Sequence, residues 1–282
     1  MREALAFEPV SARIGVVVHG ADLRRPLGDP ARAQLHHALM QHLVLFFRGQ
    51  DLTDEEHLAF ASAFGSVNHS AYAPPGATGA AACLEWIEDG PDSPPKADLW
   101  HTDVAFLEAP PDFAVLNMRV APPVGGDTLW ADLYGAYEAL SPVMRDAVAA
   151  LELDLRPGTP FELSSGSRRW VEYARDGARP QSHHPLVRAH PVTGRPVLFL
   201  AGQFIEGITG MTQAESSMLL ALLRATINDP NLQCRWHWED HDLVIWDERC
   251  TNHRAVSDHY PARRVVRRCT VGASTPVGLA AR

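Results

Sequence analysis

"ARRVVRRCTV", residues 262–271, decides how the rest of the chain is read. Valine, threonine and cysteine suit a half-buried strand, in which side chains alternate between two faces. Arg264, Val266 and Arg268 then share one face, and Arg263, Val265 and Arg267 share the other. Whichever face looks inward carries guanidinium groups with it. A buried cation without a counter-ion is strongly penalised, so each inward arginine needs an anion. A protein carboxylate would serve, and so would a ligand carboxylate held by arginine's fork. At about 3.3 Å per residue, positions 264 and 268 stand about 13 Å apart, enough to serve two anions on either side of a metal.

Strands of similar character recur along the chain: "RIGVVVHGADL" (13–23), "VLFFRG" (44–49), "LWHTDVAF" (99–106), "FAVLNMRVA" (113–121), "LVRAHPV" (186–192), "PVLFLAG" (196–202), "CRWHW" (234–238) and "DLVIWD" (242–247). Helices are expected at 29–43, which opens Asp–Pro, and at 52–65, capped by Thr53 or Asp54 and stopped by Gly65. Two more are expected at 141–151 and 211–228. Many short strands with a few helices predict a mainly β fold with peripheral helices (α+β), a β-sandwich or jelly roll. No internal repeat or change of composition divides residues 1–282, so one domain is expected. The Gly/Ser/Arg-rich stretch 156–185 reads as a flexible lid or insertion.

Composition limits what such a domain can do. A net charge of −9 argues against nucleic acid, whose phosphates need a basic face. A local basic pocket for a small organic anion remains compatible with it. The longest strongly apolar run, "LVLFF" (43–47), is strand-sized and far too short for a membrane span. Four cysteines (Cys83, Cys234, Cys250, Cys269) without a CxxC pair point to a reducing cytoplasm.

In "LWHTDVAF" a strand sets His101 and Asp103 side by side on one face. Such a pair can be half of a metal site or an ordinary ion pair, and among 14 histidines one His-x-acid pair is expected by chance. Iron(II) and oxygen chemistry needs two imidazoles and one carboxylate on one side of the metal. The missing ligand should be a histidine from a distant strand. His253 in "WDERCTNHRAV" (246–256) is the candidate, with a hydrogen-bonded loop histidine as the alternative. His237 and Glu239 form a competing pair that reads as exposed, and His183–His184 reads as surface. Thr128 in "GGDTLW" (125–130) offers a hydroxyl after a glycine pair, or simply belongs to a turn.

Together these pieces resemble the TauD/TfdA family of Fe(II)- and 2-oxoglutarate-dependent dioxygenases. The likeness runs through "IGVVVHGADLRRPL" (14–27), "LVLFFRGQ" (43–50), "WHTDVAF", "GGDTLW", "AYEALSP" (136–142), "HPLVRAHPVTGR" (184–195), "IWDERCTNHRA" and "RRVVRRCTV". It implies a double-stranded β-helix with helices outside, Fe(II) and O₂ as cofactors, and 2-oxoglutarate as cosubstrate. It implies His101, Asp103 and His253 as iron ligands and catalytic centre. Thr128 and Arg264 would hold the distal carboxylate of 2-oxoglutarate. Arg268 would meet the anionic end of the prime substrate, or in part the cosubstrate. His69 and Tyr72 match the family's His-x-x-Tyr segment if one residue is deleted before it; Val104, through its N–H, and Phe204 complete the implied substrate pocket. The expected product is a hydroxylated sulfonate or sulfate ester, as in taurine catabolism, with succinate and CO₂ released.

One position departs from the pattern. Taurine dioxygenases carry an asparagine four residues before the first iron histidine, where this chain has Ala97. "GMTQAES" (210–216) and "CTNHRAV" (250–256) are also similar to the aryloxyalkanoate-cleaving branch, the alternative substrate class. The family likeness further implies a dimer or tetramer. A zinc hydrolase on a jelly roll would use the same three ligands but would leave Arg264 without a purpose. A non-catalytic binding protein of the same fold would not need the ligands and both arginines.

Overall fold

The run "VLFF" (44–47) is buried at all four positions, as expected of a strand covered on both faces. The computed structural model describes residues 5–70, 73, 76–157 and 181–279. Among these residues the strands form four sheets. The largest comprises β1 (Ala6–Pro9), β2 (Val16–His19), β3 (Val44–Phe47), β4 (Glu85–Asp89), β5 (Phe113–Val120), β13 (Leu243–Asp247) and β15 (Arg264–Val271). They lie in the order β1-β2-β3-β13-β5-β15-β4, antiparallel except for β2 and β3. Facing it, β6 (Thr128–Asp132) runs between β12 (Gln233–Trp236) and β14 (Thr251–Ala255). β7 (Glu152–Leu155), β8 (Ser182–Pro185) and β11 (Ile205–Ile208) make a third sheet. β9 (Val187–Ala189), β10 (Pro196–Leu198) and β16 (Val277–Gly278) make the fourth. This is the expected double-stranded β-helix, or jelly roll.

Period-two alternation divides the core. Phe46, Val244, Trp246, Leu116 and Val266 face the interior of the roll, where they meet Trp130 of the opposing sheet. Trp130 packs edge-on against Phe46 and Trp246, at centroid distances of 5.3 and 5.7 Å. Leu45, Phe47, Ile245, Cys269 and Val271 point the other way, into a second cluster with Leu35, Leu39 and Phe60. Those three belong to α1 (Asp29–His42) and α2 (Asp54–Ser62), which cover the outer face. A capping box between Thr53 and Glu56 starts α2, so Thr53 is the cap and Asp54 the first helical residue. The helix stops at Ser62, before Gly65.

Four further helices are α3 (Ala80–Cys83), α4 (Leu133–Glu138), α5 (Pro142–Val148) and α6 (Gln213–Thr226). Among the described residues no helix is long and apolar enough to cross a membrane.

Four expectations change. "LWHTDVAF" is not a strand: His101 makes a single antiparallel bridge to His253, and a turn follows. "GGDTLW" is a turn only as far as Asp127; Thr128 already opens β6. His184 is buried in β8 rather than on the surface, with its Nε2 2.8 Å from the carbonyl of Leu107. Of the segment 156–185, residues 158–180 lie outside the described residues, and 182–185 is strand rather than flexible loop.

Candidate metal centre and anion sites

β14 positions the first of three donors. Its residue His253 exchanges two backbone hydrogen bonds with His101, of 2.9 and 3.0 Å, so two distant segments are locked at the same level. Asn252 Nδ2 donates to Thr102 Oγ1 at 2.8 Å and reinforces the link. From the other side Gly202, at φ +69°, packs so closely that a Cβ there would stand 2.0 Å from the Trp100 carbonyl oxygen.

Asp103 then turns back toward both imidazoles. Its Oδ1 lies 3.6 Å from His101 Nε2 and 3.8 Å from His253 Nε2, and the ligand atoms of all three residues lie within 4.8 Å of one another. Two ligands each about 2.1 Å from one ion lie roughly 3–4 Å apart, so these separations suit a shared cation.

The protonation states suit it too. His101 Nδ1 lies 2.7 Å from the Leu99 carbonyl, which can only accept, so that nitrogen carries the proton and Nε2 keeps its lone pair. Burial pushes both imidazoles below the usual histidine range, His253 well below it. Burial alone would raise the carboxyl of Asp103, but the Arg268 guanidinium in contact with it holds it below the ordinary aspartate value. Two neutral imidazoles and one carboxylate are the donor set that suits Fe(II).

Asp103 is held from behind. Its backbone N–H donates to Glu248 Oε2 at 3.1 Å, while Trp246 Nε1 donates to Glu248 Oε1 at 2.7 Å. Burial, and then the neighbouring Asp103, push the Glu248 carboxyl well above its ordinary value. The next residue, Val104, sits at φ +40°, a strained conformation for a β-branched side chain.

Both faces of β15 turn out to be buried. Arg264 and Arg268 face a cavity of about 680 Å³ that is also lined by His101, Asp103, Thr128 and His253. Arg267 points the other way, toward α2. Each inward arginine meets a protein carboxylate: Asp89 Oδ2 lies 3.5 Å from Arg264 Nη1, and Glu85 Oε2 lies 2.7 Å from Arg268 Nη2. Arg268 Nη1 also reaches both oxygens of Asp103 at 2.6 Å. Trp238 Nε1 donates to Thr128 Oγ1 at 3.0 Å, which leaves the threonine hydroxyl proton free for another acceptor.

His69 lines a smaller adjoining cavity of about 250 Å³, with Asp103, Val104 and Arg268. Phe204 walls the larger one and packs edge-on against Phe106 at 5.1 Å. Tyr72 lies outside the described residues. The competing His237 and Glu239 are exposed and pair elsewhere, with Asp127 at 2.9 Å and Arg48 at 3.5 Å.

A second buried cluster, His190, Asp247 and Cys250, is differently committed. Asp247 accepts from Arg249 at 2.9 and 2.7 Å, and His190 Nδ1 accepts from the N–H groups of Val192 and Thr193. An arginine already occupies the place of a cation there.

Sequence reasoning missed Glu85, Asp89 and Glu248. A signal for the first two existed: in "EWIED" (85–89), Glu85, Ile87 and Asp89 alternate as the complement of Arg268, Val266 and Arg264. The part played by Glu248 had none, because it depends on a turn from the other half of the chain.

A jelly roll with two histidines and one carboxylate opening on its interior is an arrangement that can hold a metal ion. Residues 6–270 match the model of the taurine catabolism dioxygenase TauD, TfdA family, and the chain belongs to that family. It is 36% identical to an alpha-ketoglutarate-dependent sulfate ester dioxygenase of Pseudomonas putida, covering 98% of this chain and 92% of that one. It is 34% identical to an alkylsulfatase of Acinetobacter baylyi, over 98% and 87% of the two chains. A taurine dioxygenase from Burkholderia xenovorans superimposes with a TM-score of 0.83 at 34% identity, over 98% and 92% of the chains. The protein is thus an oxidoreductase of the 2-oxoglutarate-dependent dioxygenase type.

Removal of the Thr128 hydroxyl should be felt without any ligand. A Thr128→Val protein leaves the buried Trp238 N–H without an acceptor, which costs about 1–3 kcal/mol. Chemical denaturation should show that loss; an unchanged midpoint would mean that the indole finds another partner.

Proposed function

We propose that the protein hydroxylates the sulfate-bearing carbon of a short alkyl sulfate ester at the expense of 2-oxoglutarate and O₂. The products are succinate, CO₂, an aldehyde and inorganic sulfate. One observation carries this reading: three metal-type donors converge on the same cavity wall as two inward-facing arginines of a single strand.

His101, Asp103 and His253 would hold Fe(II). When bound, that ion supplies the oxygen-dependent decarboxylation of 2-oxoglutarate and the hydroxylation of a nearby C–H bond. The chain supplies position and charge. Arg264 and the free proton of Thr128 receive the distal carboxylate of 2-oxoglutarate. Arg268, with His69 and the N–H of Val104, receives the sulfate head.

Leu84, Trp86, Ala97 and Phe204 offer apolar wall for the alkyl chain. Ala97 gives the aminoethyl group of taurine no polar partner, which favours an alkyl sulfate over taurine. The sulfate ester dioxygenase of Pseudomonas putida and the alkylsulfatase of Acinetobacter baylyi support the same class. Four free thiols support a cytoplasmic location.

The test is incubation with Fe(II), 2-oxoglutarate and air, with hexyl sulfate, taurine or phenoxyacetate as third component. Hexyl sulfate should give equal amounts of succinate and sulfate. Product from phenoxyacetate alone would move the enzyme to the aryloxyalkanoate branch. The two arginines should separate kinetically. Arg264→Ala is expected to raise KM for 2-oxoglutarate about 100-fold, and Arg268→Ala to raise KM for hexyl sulfate by about as much. The reverse pattern would exchange their roles.

A further inference from the structure

β4 places a carboxylate directly opposite each arginine assigned to a ligand. Asp89 is the cross-strand partner of Arg264, and Glu85 that of Arg268. The two pairs are not alike. Asp89 stands 3.5 Å from Arg264 and is shared with His259 Nε2 at 3.4 Å. Glu85 makes a close 2.7 Å contact with Arg268, and both side chains are largely buried, at 18% and 12% exposure.

Position matters as much as distance. Glu85, Arg268, Asp103, Val104 and Ser70 line both the larger and the smaller cavity, so this ion pair stands where the two chambers meet. One terminal nitrogen of Arg268 is taken by Asp103 and the other by Glu85.

We infer that Glu85 is a built-in competitor for the substrate's anionic head: binding exchanges one anion for another on Arg268, and the enzyme is tuned to weak capture of strongly anionic heads. This deepens the functional reading above and rests on its assignment of Arg268. The physical reason is repulsion. A sulfate oxygen at the guanidinium edge would come within about 4 Å of the Glu85 carboxylate, beside two largely buried side chains where like charges repel more strongly than in water. The carboxylate must turn away before the head can settle, and the work of turning it weakens binding. A neutral ligand that fills only the apolar wall meets no such opposition.

Glu85→Gln separates charge from position, since the amide oxygen can still accept from Arg268. Glu85→Ala removes both. The experiment is calorimetric titration of the anaerobic Fe(II)·2-oxoglutarate enzyme with hexyl sulfate, and with hexan-1-ol as the uncharged probe. Thermal melts establish that each variant is folded.

The Gln variant is expected to bind hexyl sulfate at least about tenfold tighter than wild type, with hexan-1-ol unchanged. Equal or weaker binding of hexyl sulfate in the Gln variant overturns the inference and makes Glu85 a mere positioner of Arg268. If that happens while Arg268→Ala still abolishes binding, the functional reading stands. If Arg268→Ala leaves hexyl sulfate binding unchanged, the anion anchor has been misassigned and the inference falls with it.

Discussion

A His253→Ala protein should release succinate at no more than roughly one thousandth of the wild-type rate while keeping its fold. Loss of a group that only supports a metal ligand costs about 10–100-fold, and loss of a ligand costs more. The fold should survive because the backbone of His253, not its ring, holds His101 in place. The ring itself is poorly anchored: its Nδ1 is buried without a hydrogen-bond partner. Alanine therefore removes an unsatisfied polar atom along with the ligand. Equilibrium dialysis should show weakened Fe(II) binding, with a melting temperature within a few degrees of wild type. Normal turnover by this variant would end the assignment of the metal centre.

The second large effect concerns an arginine outside the site. Arg267 is 2% exposed on the outer face of β15. It donates to Asp54, to His57 Nδ1 at 3.2 Å, to the Leu52 carbonyl at 2.9 Å and to Asn117 Oδ1 at 3.1 Å. Burial, followed by the adjacent Arg267 charge, drives the His57 imidazole down to about 3, so that ring is neutral and its Nδ1 can accept.

Arg267→Ala strands the buried Nδ1 of His57 and empties the volume of a side chain only 2% exposed, whereas the Leu52 carbonyl and Asn117 Oδ1 keep Arg119 as donor and Asp54, at 38% exposure, can turn to water. The expected cost is about 3–5 kcal/mol, which corresponds to a fall in melting temperature of about 6–15 °C. KM values per folded molecule should stay within about twofold of wild type. A raised KM for 2-oxoglutarate with an unchanged melting temperature would mean that the two faces of β15 have been interchanged.

Alternation along 262–271 separated Arg264 and Arg268 from Arg267 correctly, because strand geometry is local and has a fixed period. It could not tell that both faces are buried, since burial depends on α2 covering the outer side. "LWHTDVAF" shows the opposite case. The side chains of His101 and Asp103 do come together, yet the strand that should have aligned them is absent. A turn at Val104 and a bridge to β14 bring Asp103 round instead. That turn is paid for in backbone strain by contacts from elsewhere in the chain, such as the hold of Glu248 on the Asp103 N–H.

By itself, the sequence determined most of the long strands, the start of α2 to within a residue, the mainly β class, and the residue types from which a metal centre could be assembled. Its ordered motifs also carried the family likeness. Each of these is written in short-range periodicity or in residue identity. Only the tertiary structure decided that His101 and His253 share one bridge, that Glu248 backs Asp103, and that β4 offers Glu85 to Arg268. Those facts arise from long-range register and from desolvation, which no local window contains.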